Sequence, residues 1–155
     1  MQSRWLIIIG GILAAAAGAL AFITMPQEKP EALVYDPPRA LAPFKIESTA
    51  TGGTLDNEAL KGQWTLLFTG YTYCPDICPT TLSSLKTILP QLQAHADVPV
   101  KVWMISVDPQ RDSLERLTEY TGYFGKHFVG VRAEHPQLFP FVRDLGLMYS
   151  VPEEG

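Results

Sequence analysis

The sequence predicts an α/β domain in which helices pack on a largely parallel sheet. Two runs rich in β-branched and aromatic residues, 64–69 and 100–107, have the composition of central strands that are buried on both faces. A segment with helical periodicity lies between them, and a short strand, 128–131, and two more helical segments follow. Strands that alternate with helices form right-handed crossovers, so these segments predict a three-layer α/β architecture.

The N-terminal segment has the length and composition of a membrane anchor. Residues 5–25 carry no charge and follow a short tail, 1–4, that ends in Arg4. A helix of this length rises about 30 Å, which is the thickness of the hydrocarbon core of a bilayer. Residues 19–21, Ala-Leu-Ala, also resemble a signal-peptidase site, so a cleaved signal peptide is the alternative. We favour the anchor because the apolar stretch continues past that site.

The residues beside this segment predict its orientation and location. Arg4 lies on one side, and Lys29 and Arg39 lie on the other, which is a weak positive-inside contrast. The short tail favours export of the C-terminal domain, and no arginine-rich, amphipathic transit peptide precedes the segment. The expected location is a bacterial inner membrane, crossed once, with the C-terminal domain in the periplasm.

Two regions of different composition follow the anchor. Residues 26–43 contain five of the thirteen prolines and show no periodicity, which predicts an extended tether. Residues 44–155 are enough for one small domain with a single core. The net charge is −4 and no cluster of lysine and arginine is present, so nucleic acid is excluded as an expected partner.

The domain is expected to begin with a hairpin and a helical turn. Residues 44–49 alternate in polarity, and two glycines provide a turn before residues 54–55. Residues 57–62 resemble a short helical turn that ends at a glycine. The strand 64–69 follows directly.

Three amphipathic helices are expected between and after the central strands. The first covers residues 80–89 and ends at Pro90, the second begins with a capping box at Asp112, and the third covers about 136–145. The side chains expected to face the core are Leu82, Leu85, Ile88, Leu89, Leu114, Leu117, Tyr120, Leu138, Phe139, Val142 and Leu145. This order of strands and helices predicts a three-layer fold of thioredoxin type.

Cys74 and Cys78 are the only cysteines, and they come directly after the strand 64–69. A thiol pair with three intervening residues can close a small disulfide, exchange electrons with another disulfide, or offer two soft ligands to a metal ion. Because Pro79 disfavours helical geometry in the residue before it, we expect Cys78 at the N-cap of the helix and both thiols at its positive end. Such a position lowers a thiol pKa and stabilises the thiolate.

The spacing of the ligand candidates favours copper over zinc. Thioredoxin-type oxidoreductases have two residues between their cysteines, and their peroxide-reducing relatives have a threonine where this chain has Tyr71. A closed zinc site needs four ligands, and His95, His127 and His135 are not at ligand-like spacing, so we expect them in loops or on the surface. Copper(I) is satisfied by two or three soft ligands, so two thiolates and one histidine would suffice.

Polar residues after the strand 100–107 are expected beside the thiols. Ligands bind at the carboxyl ends of the strands in open α/β sheets, and Asp108 and Arg111 follow that strand. Tyr73 directly precedes the first cysteine and is a candidate to shield the site or to contact a partner. These three residues form the expected edge of the site, and a turn followed by an N-cap is the alternative interpretation of residues 108–112.

A family resemblance rests on two segments. Residues 70–81, Gly-Tyr-Thr-Tyr-Cys-Pro-Asp-Ile-Cys-Pro-Thr-Thr, and residues 105–112, Ile-Ser-Val-Asp-Pro-Gln-Arg-Asp, closely resemble the Sco/SenC family of copper-binding, membrane-anchored thioredoxin-fold proteins. The resemblance implies a copper chaperone for the dinuclear copper (CuA) centre of cytochrome c oxidase, with Cu(I) or Cu(II) bound by Cys74 and Cys78, which also form the redox pair. The implied partners are the CuA-bearing subunit, other copper chaperones and thiol reductants.

The resemblance also implies features C-terminal to Gly155. It implies a third copper ligand, a histidine in a hairpin after Gly155, together with closing strands and a last helix. The thioredoxin-like fold is therefore expected to be C-terminally incomplete in this chain.

Two other roles of the dithiol stay open at this point. A thiol–disulfide oxidoreductase would keep exported cysteines, such as those of the oxidase copper site, in the reduced state. A permanent disulfide would only brace the turn, and we disfavour it because so short a loop removes little entropy from the unfolded chain. The expected function is a copper chaperone, and the alternative is the reductase. The sequence does not distinguish either of these roles from that of a sensor of copper or redox state.

Overall fold

The chain divides into two compact units, Met1–Arg39 and Ala40–Gly155. The structure is a computed structural model and describes residues 2–24 and 34–151. The first unit contains helix α1, Gln2–Thr24. The first part of the expected tether, residues 26–33, lies outside the described residues.

A helix forms where the sequence predicts the anchor, but a membrane span is not confirmed. Among the described residues, no helix is long and apolar enough to cross a membrane.

The second unit contains a five-stranded mixed sheet with the order β2-β1-β5-β4-β3. The strands are β1 Ile46–Ser48, β2 Gly53–Leu55, β3 Trp64–Gly70, β4 Val100–Ser106 and β5 Phe128–Arg132. The three longer strands run parallel, and β1 pairs antiparallel with β2 and β5. The expected hairpin and parallel core are therefore present, and a 3₁₀ helix, Asn57–Leu60, forms the expected helical turn.

Three helices cover the sheet: α2 Ile77–His95, α3 Leu114–Gly122 and α4 His135–Asp144. Alternate residues of β4 point to opposite faces, as the two-residue period of a strand requires. One face carries Val102 and Met104, which pack in a cluster with Leu82 of α2 and Leu117 of α3. The other face carries the cluster of Ile46, Trp103, Ile105, Val129, Val131, Ala133, Leu138, Phe141 and Val142, which includes α4. The helices therefore lie on both faces, as expected for a three-layer fold.

Two expectations about the strands and helices are wrong. The strand β3 is at the edge of the described sheet and is mostly half-buried, rather than central. Helix α2 continues through Pro90 to His95. The carbonyl that Pro90 leaves without a helical donor belongs to Lys86, and both residues are exposed, so water can satisfy this group.

Two side chains expected in the core are exposed. Ile88 is 43% exposed and Phe139 is 47% exposed, whereas Phe141 is buried. The periodicity of each helix is right, but Ile88 and Phe139 lie at the margin of the apolar face, where packing on the sheet decides burial.

Candidate metal and thiol site

The cysteine segment leaves the sheet at the carboxyl ends of two parallel strands. Residues 71–76 follow β3, and residues 107–112 follow β4. Where the two strands end, the Val107 N–H donates a backbone hydrogen bond to the carbonyl of Gly70, the last residue of β3, at 2.9 Å. The topology thus brings together two segments that lie far apart in the sequence, as the position of ligand sites in open α/β sheets predicts.

The two thiols are buried and unbridged at the start of α2. Cys74 is 8% exposed and Cys78 is 5% exposed. The Cys78 N–H donates to Cys74 Sγ at 3.4 Å. Helix α2 begins at Ile77 with Asp76 as its N-cap, so the expectation of Cys78 at the N-cap is wrong by two positions.

A proline at the third helical position explains that difference. The first N–H groups of a helix have no helical acceptor, so the missing N–H of Pro79 removes no bond there. The helix can therefore begin before Cys78 and place the Cys78 N–H against Cys74 Sγ.

The two thiols differ in acidity. Burial acts to raise the pKa of Cys74, but hydrogen bonds from the Cys78 thiol and from the N–H groups of Cys78, Asp76 and Ile77 outweigh it, and the pKa is lowered. Burial raises the pKa of Cys78 to about 11, with the hydrogen bond to Cys74 as the next cause. The helix start therefore stabilises one thiolate, and the expectation that it lowers the pKa of both thiols is wrong for Cys78.

A buried carboxylate joins the cysteine segment to the loop after β4. Asp112 is fully buried, and it accepts hydrogen bonds from Thr72 Oγ1 at 2.6 Å, from Thr72 N at 3.1 Å and from Ser106 Oγ at 2.6 Å. The N-cap of α3 is Ser113, which accepts from Arg116 N at 3.2 Å. The capping box expected at Asp112 is therefore wrong by one residue, and Asp112 belongs to the site.

The expected edge residues lie together beside the first cysteine. Tyr73 is half exposed, and its ring centroid is 5.2 Å from the guanidinium carbon of Arg111 and 4.1 Å from that of Arg116. Arg111 also forms an ion pair with Asp108. The geometry thus connects Asp108, Arg111 and Tyr73 in one chain of contacts and adds Arg116, which the sequence pattern does not single out.

Gly70 lies close to Cys78, and the charge of both thiols acts on Tyr120. A Cβ atom placed on Gly70 would be 3.1 Å from Cys78 Sγ. The hydroxyl of Tyr120 is buried with no hydrogen-bond partner among the described residues. Burial raises the pKa of Tyr120 to about 12, and charge on Cys78, Cys74 and Asp112 acts in the same direction, so Tyr120 stays protonated near neutral pH.

The histidines do not add a ligand to the thiol pair. His95 Nδ1 pairs with the Gln91 carbonyl at 2.8 Å, and His135 Nδ1 pairs with Tyr149 Oη at 2.9 Å. Within residues 2–24 and 34–151, no group of three histidine, cysteine, aspartate or glutamate residues is placed to hold a metal ion. The donor set that the described site offers is two buried sulfur atoms, which suits a soft ion that accepts few ligands.

The family model described as SCO1/SenC matches residues 35–154. The chain belongs to the SCO1/SenC family. This assignment covers the whole sheet and the cysteine segment, and it confirms the resemblance carried by the two motifs.

The relatives and solved structures extend the comparison. The chain is 32% identical over 103 residues to SCO1 homolog 1, mitochondrial, of Arabidopsis thaliana, which covers 66% of this chain and 31% of that protein. It is 38% identical over 79 residues to SCO2 homolog, mitochondrial, of Homo sapiens, which covers 50% of this chain and 30% of that protein. The chain thus spans about a third of the length of these curated relatives.

Two similar crystal structures hold copper. The copper-bound ScoI of Arabidopsis thaliana has a TM-score of 0.66 and 31% identity and covers 74% of this chain and 70% of its own. Copper-bound yeast Sco1 has a TM-score of 0.66 and 26% identity and covers 76% of this chain and 65% of its own. The mixed α/β sheet described above therefore matches the thioredoxin-like fold of the family.

Proposed function

We propose that this SCO1/SenC chain is a copper metallochaperone whose Cys74 and Cys78 bind the ion. The observation that carries the proposal is the pair of buried, unbridged thiols at the start of α2, one of which has a lowered pKa. Thiolate is the form of cysteine that ligates metals, and soft sulfur ligands select copper(I). Copper bound in the related solved structures supports the choice of metal.

The physiological role we propose is assembly of the CuA centre of cytochrome c oxidase. The support is membership of the SCO1/SenC family together with the thiol site. The oxidase subunit that carries CuA would receive the ion, and other copper chaperones or thiol reductants would load and reduce the pair. We also propose an exported domain held at the inner membrane by residues 5–25, which sedimentation with membranes and periplasmic protease access would test.

Copper binding by the full chain tests the proposed function. The reduced chain, kept anaerobic, is expected to bind about one Cu(I) per chain, with sulfur-dominated ligation in the X-ray absorption spectrum. Cys74→Ser and Cys78→Ser should each abolish stoichiometric binding, because either change removes one of the two soft ligands. Met148→Leu is the matched control, since it removes an exposed sulfur remote in sequence from the pair.

Two results would contradict copper binding at this pair. One is the absence of binding by a folded, fully reduced chain. The other is binding that Cys74→Ser leaves unchanged, which would place the ion elsewhere.

The difference in acidity between the thiols favours a second candidate, thiol–disulfide exchange. The Cys74 thiolate would attack a disulfide of the substrate protein, form a mixed disulfide and release one substrate thiolate. Cys78, after losing its proton, would attack Cys74 Sγ, break the mixed disulfide and release the second substrate thiolate. The substrate gains two electrons, and this chain ends with a Cys74–Cys78 disulfide.

Trapping of the mixed disulfide tests this second candidate. Cys78→Ser is expected to accumulate a covalent adduct with a disulfide-bonded peptide taken from an oxidase copper site, because the resolving thiol is gone. Cys74→Ser should form far less adduct, since burial, the largest cause of the raised pKa of Cys78, remains in this variant. An adduct that forms equally with both variants, or no exchange by the wild-type chain, would count against the reductase.

A further inference from the structure

A fully buried carboxylate links the cysteine segment to the start of α3. Both oxygens of Asp112 are used: Oδ1 accepts from Thr72 Oγ1 at 2.6 Å, and Oδ2 accepts from Ser106 Oγ at 2.6 Å and from Thr72 N at 3.1 Å. A buried charge is costly unless donors compensate it, so these three donors belong with the carboxylate as a set. Two of them come from Thr72, which lies two residues before Cys74.

A second contact strengthens the same link. Arg116, in the first turn of α3, donates from Nε to Thr72 Oγ1 at 2.7 Å. Thr72 Oγ1 therefore accepts from the helix and donates to Asp112, so its orientation is determined on both sides. The Arg116 guanidinium carbon also lies 4.1 Å from the centroid of the Tyr73 ring. Arg116 of α3 thus contacts two successive residues, Thr72 and Tyr73, in the segment between β3 and Cys74.

The link reaches the sulfur through a short turn. Cys74 N–H donates to the Tyr71 carbonyl at 3.2 Å, so residues 71–74 form one turn around Thr72. The position of Thr72 then sets where Cys74 Sγ meets the Cys78 N–H. A shift of Thr72 would move one sulfur of the pair and leave the other in place on α2.

We propose that Asp112 is a positioning residue that fixes the distance between the Cys74 and Cys78 sulfurs through its hydrogen bonds to Thr72. The inference rests on the proposed function, in which the dithiol is the reactive site. The loop after β4, and not the cysteine segment alone, then determines how closely the two sulfurs approach one ion or each other. Neither Asp112 nor Thr72 contacts the ion in this proposal.

Two substitutions and one control test the proposal in the full chain. Asp112→Asn keeps the size of the side chain but replaces one acceptor by a donor, and Thr72→Val removes the hydroxyl between Asp112 and Arg116. Ser113→Ala is the matched control, because it removes the N-cap of the same helix and none of the side chains that bond to Thr72. Loss of the cap should lower thermal stability without moving the sulfurs.

Two readouts report the sulfur positions. The first is the equilibrium constant for the Cys74–Cys78 disulfide against glutathione in the absence of metal, and the second is the Cu(I) affinity. Removing a residue that orients a metal ligand typically weakens the affinity about 10-fold or more, and we expect a change of this size in both quantities for Asp112→Asn and Thr72→Val. Ser113→Ala should stay within about twofold of wild type in both, since its effect is on the helix end.

The outcomes separate this inference from the proposed function. If wild type binds no copper, the copper proposal fails, and the glutathione equilibrium alone decides the role of Asp112. If Asp112→Asn does not fold, Thr72→Val decides. Folded variants that lose thermal stability as Ser113→Ala does, with both equilibria unchanged, would show that Asp112 only stabilises the loop and would overturn the inference.

Discussion

Replacing Gly130 with valine is expected to remove a large share of the stability of the thioredoxin-like unit. Gly130 lies in β5, where α3 packs on the sheet. A Cβ atom on Gly130 would lie 2.9 Å from Leu117 Cβ and 3.2 Å from Thr49 Cγ2. Neither neighbour can move easily, because Leu117 is fully buried and Thr49 exchanges two hydrogen bonds with the Gly130 backbone.

The expected magnitude follows from the cost of overpacking a core. Extra methylene groups in a packed site cost about 1–3 kcal/mol and occasionally more. Valine adds three carbon atoms at this position, so we expect a loss of about 3 kcal/mol or more. A typical domain is stable by only about 5–15 kcal/mol, so this is a large share of the total.

Urea unfolding of the full chain measures this effect. Gly130→Ala should lose less stability than Gly130→Val, and both should lose more than Gly122→Ala. Gly122 is the matched control, because a Cβ there meets nothing within 4 Å. Equal stability of Gly130→Ala and Gly122→Ala would show that α3 can move away from the sheet at low cost.

The elements of this fold could be predicted because each leaves a local pattern. The strand β4 is rich in β-branched and aromatic residues, and α4 shows an apolar face at helical spacing. The edge position of β3 could not be predicted in the same way, since Trp64–Gly70 has the composition of a central strand. Strand order depends on which surfaces pack together, and composition reports this only indirectly.

In the site, too, some features follow from a short stretch of sequence, whereas others depend on residues that lie far apart in the chain. The cysteine pair and its place at a helix start follow from a short motif, and both are present. The role of Asp112 depends on its hydrogen bond with Thr72, which lies forty residues earlier in the sequence. The residues next to an aspartate do not show whether its side chain caps a helix or accepts hydrogen bonds in the interior. The opposite pKa shifts of the two thiols likewise depend on the folded structure, because one sulfur accepts hydrogen bonds from several N–H groups and the other is more deeply buried.

Replacing Gly70 with valine is expected to disable the thiol pair with less loss of stability than at Gly130. Gly70 ends β3, directly beneath the start of α2. A Cβ atom there would lie 3.1 Å from Cys78 Sγ and 3.4 Å from both Met104 Cγ and Phe68 Cε2. The sulfur is the closest of these atoms, and it lies at the end of a side chain that can rotate, so the strain is expected to move Cys78 first.

A displaced Cys78 sulfur no longer converges with Cys74 Sγ on one ion. We expect Gly70→Ala to weaken Cu(I) binding about 10-fold and Gly70→Val to weaken it further, since mispositioned ligands typically lose affinity on this scale. The same variants should shift the glutathione equilibrium of the apo dithiol in the direction of less disulfide, because the two sulfurs meet less readily.

Competition with a Cu(I) chelator and the apo disulfide equilibrium measure these effects in the full chain. Gly53→Ala is the matched control, because it also adds a Cβ to a strand glycine but meets only Thr51 Oγ1 at 3.8 Å. If Gly70→Ala binds Cu(I) as tightly as Gly53→Ala and keeps its disulfide equilibrium, Cys78 has room to adapt. In that case the short distance between β3 and the Cys78 sulfur affects packing, and neither copper binding nor disulfide formation depends on it. If both quantities change while the urea midpoint stays near that of Gly53→Ala, the absence of a side chain at Gly70 is part of what brings the two sulfurs together.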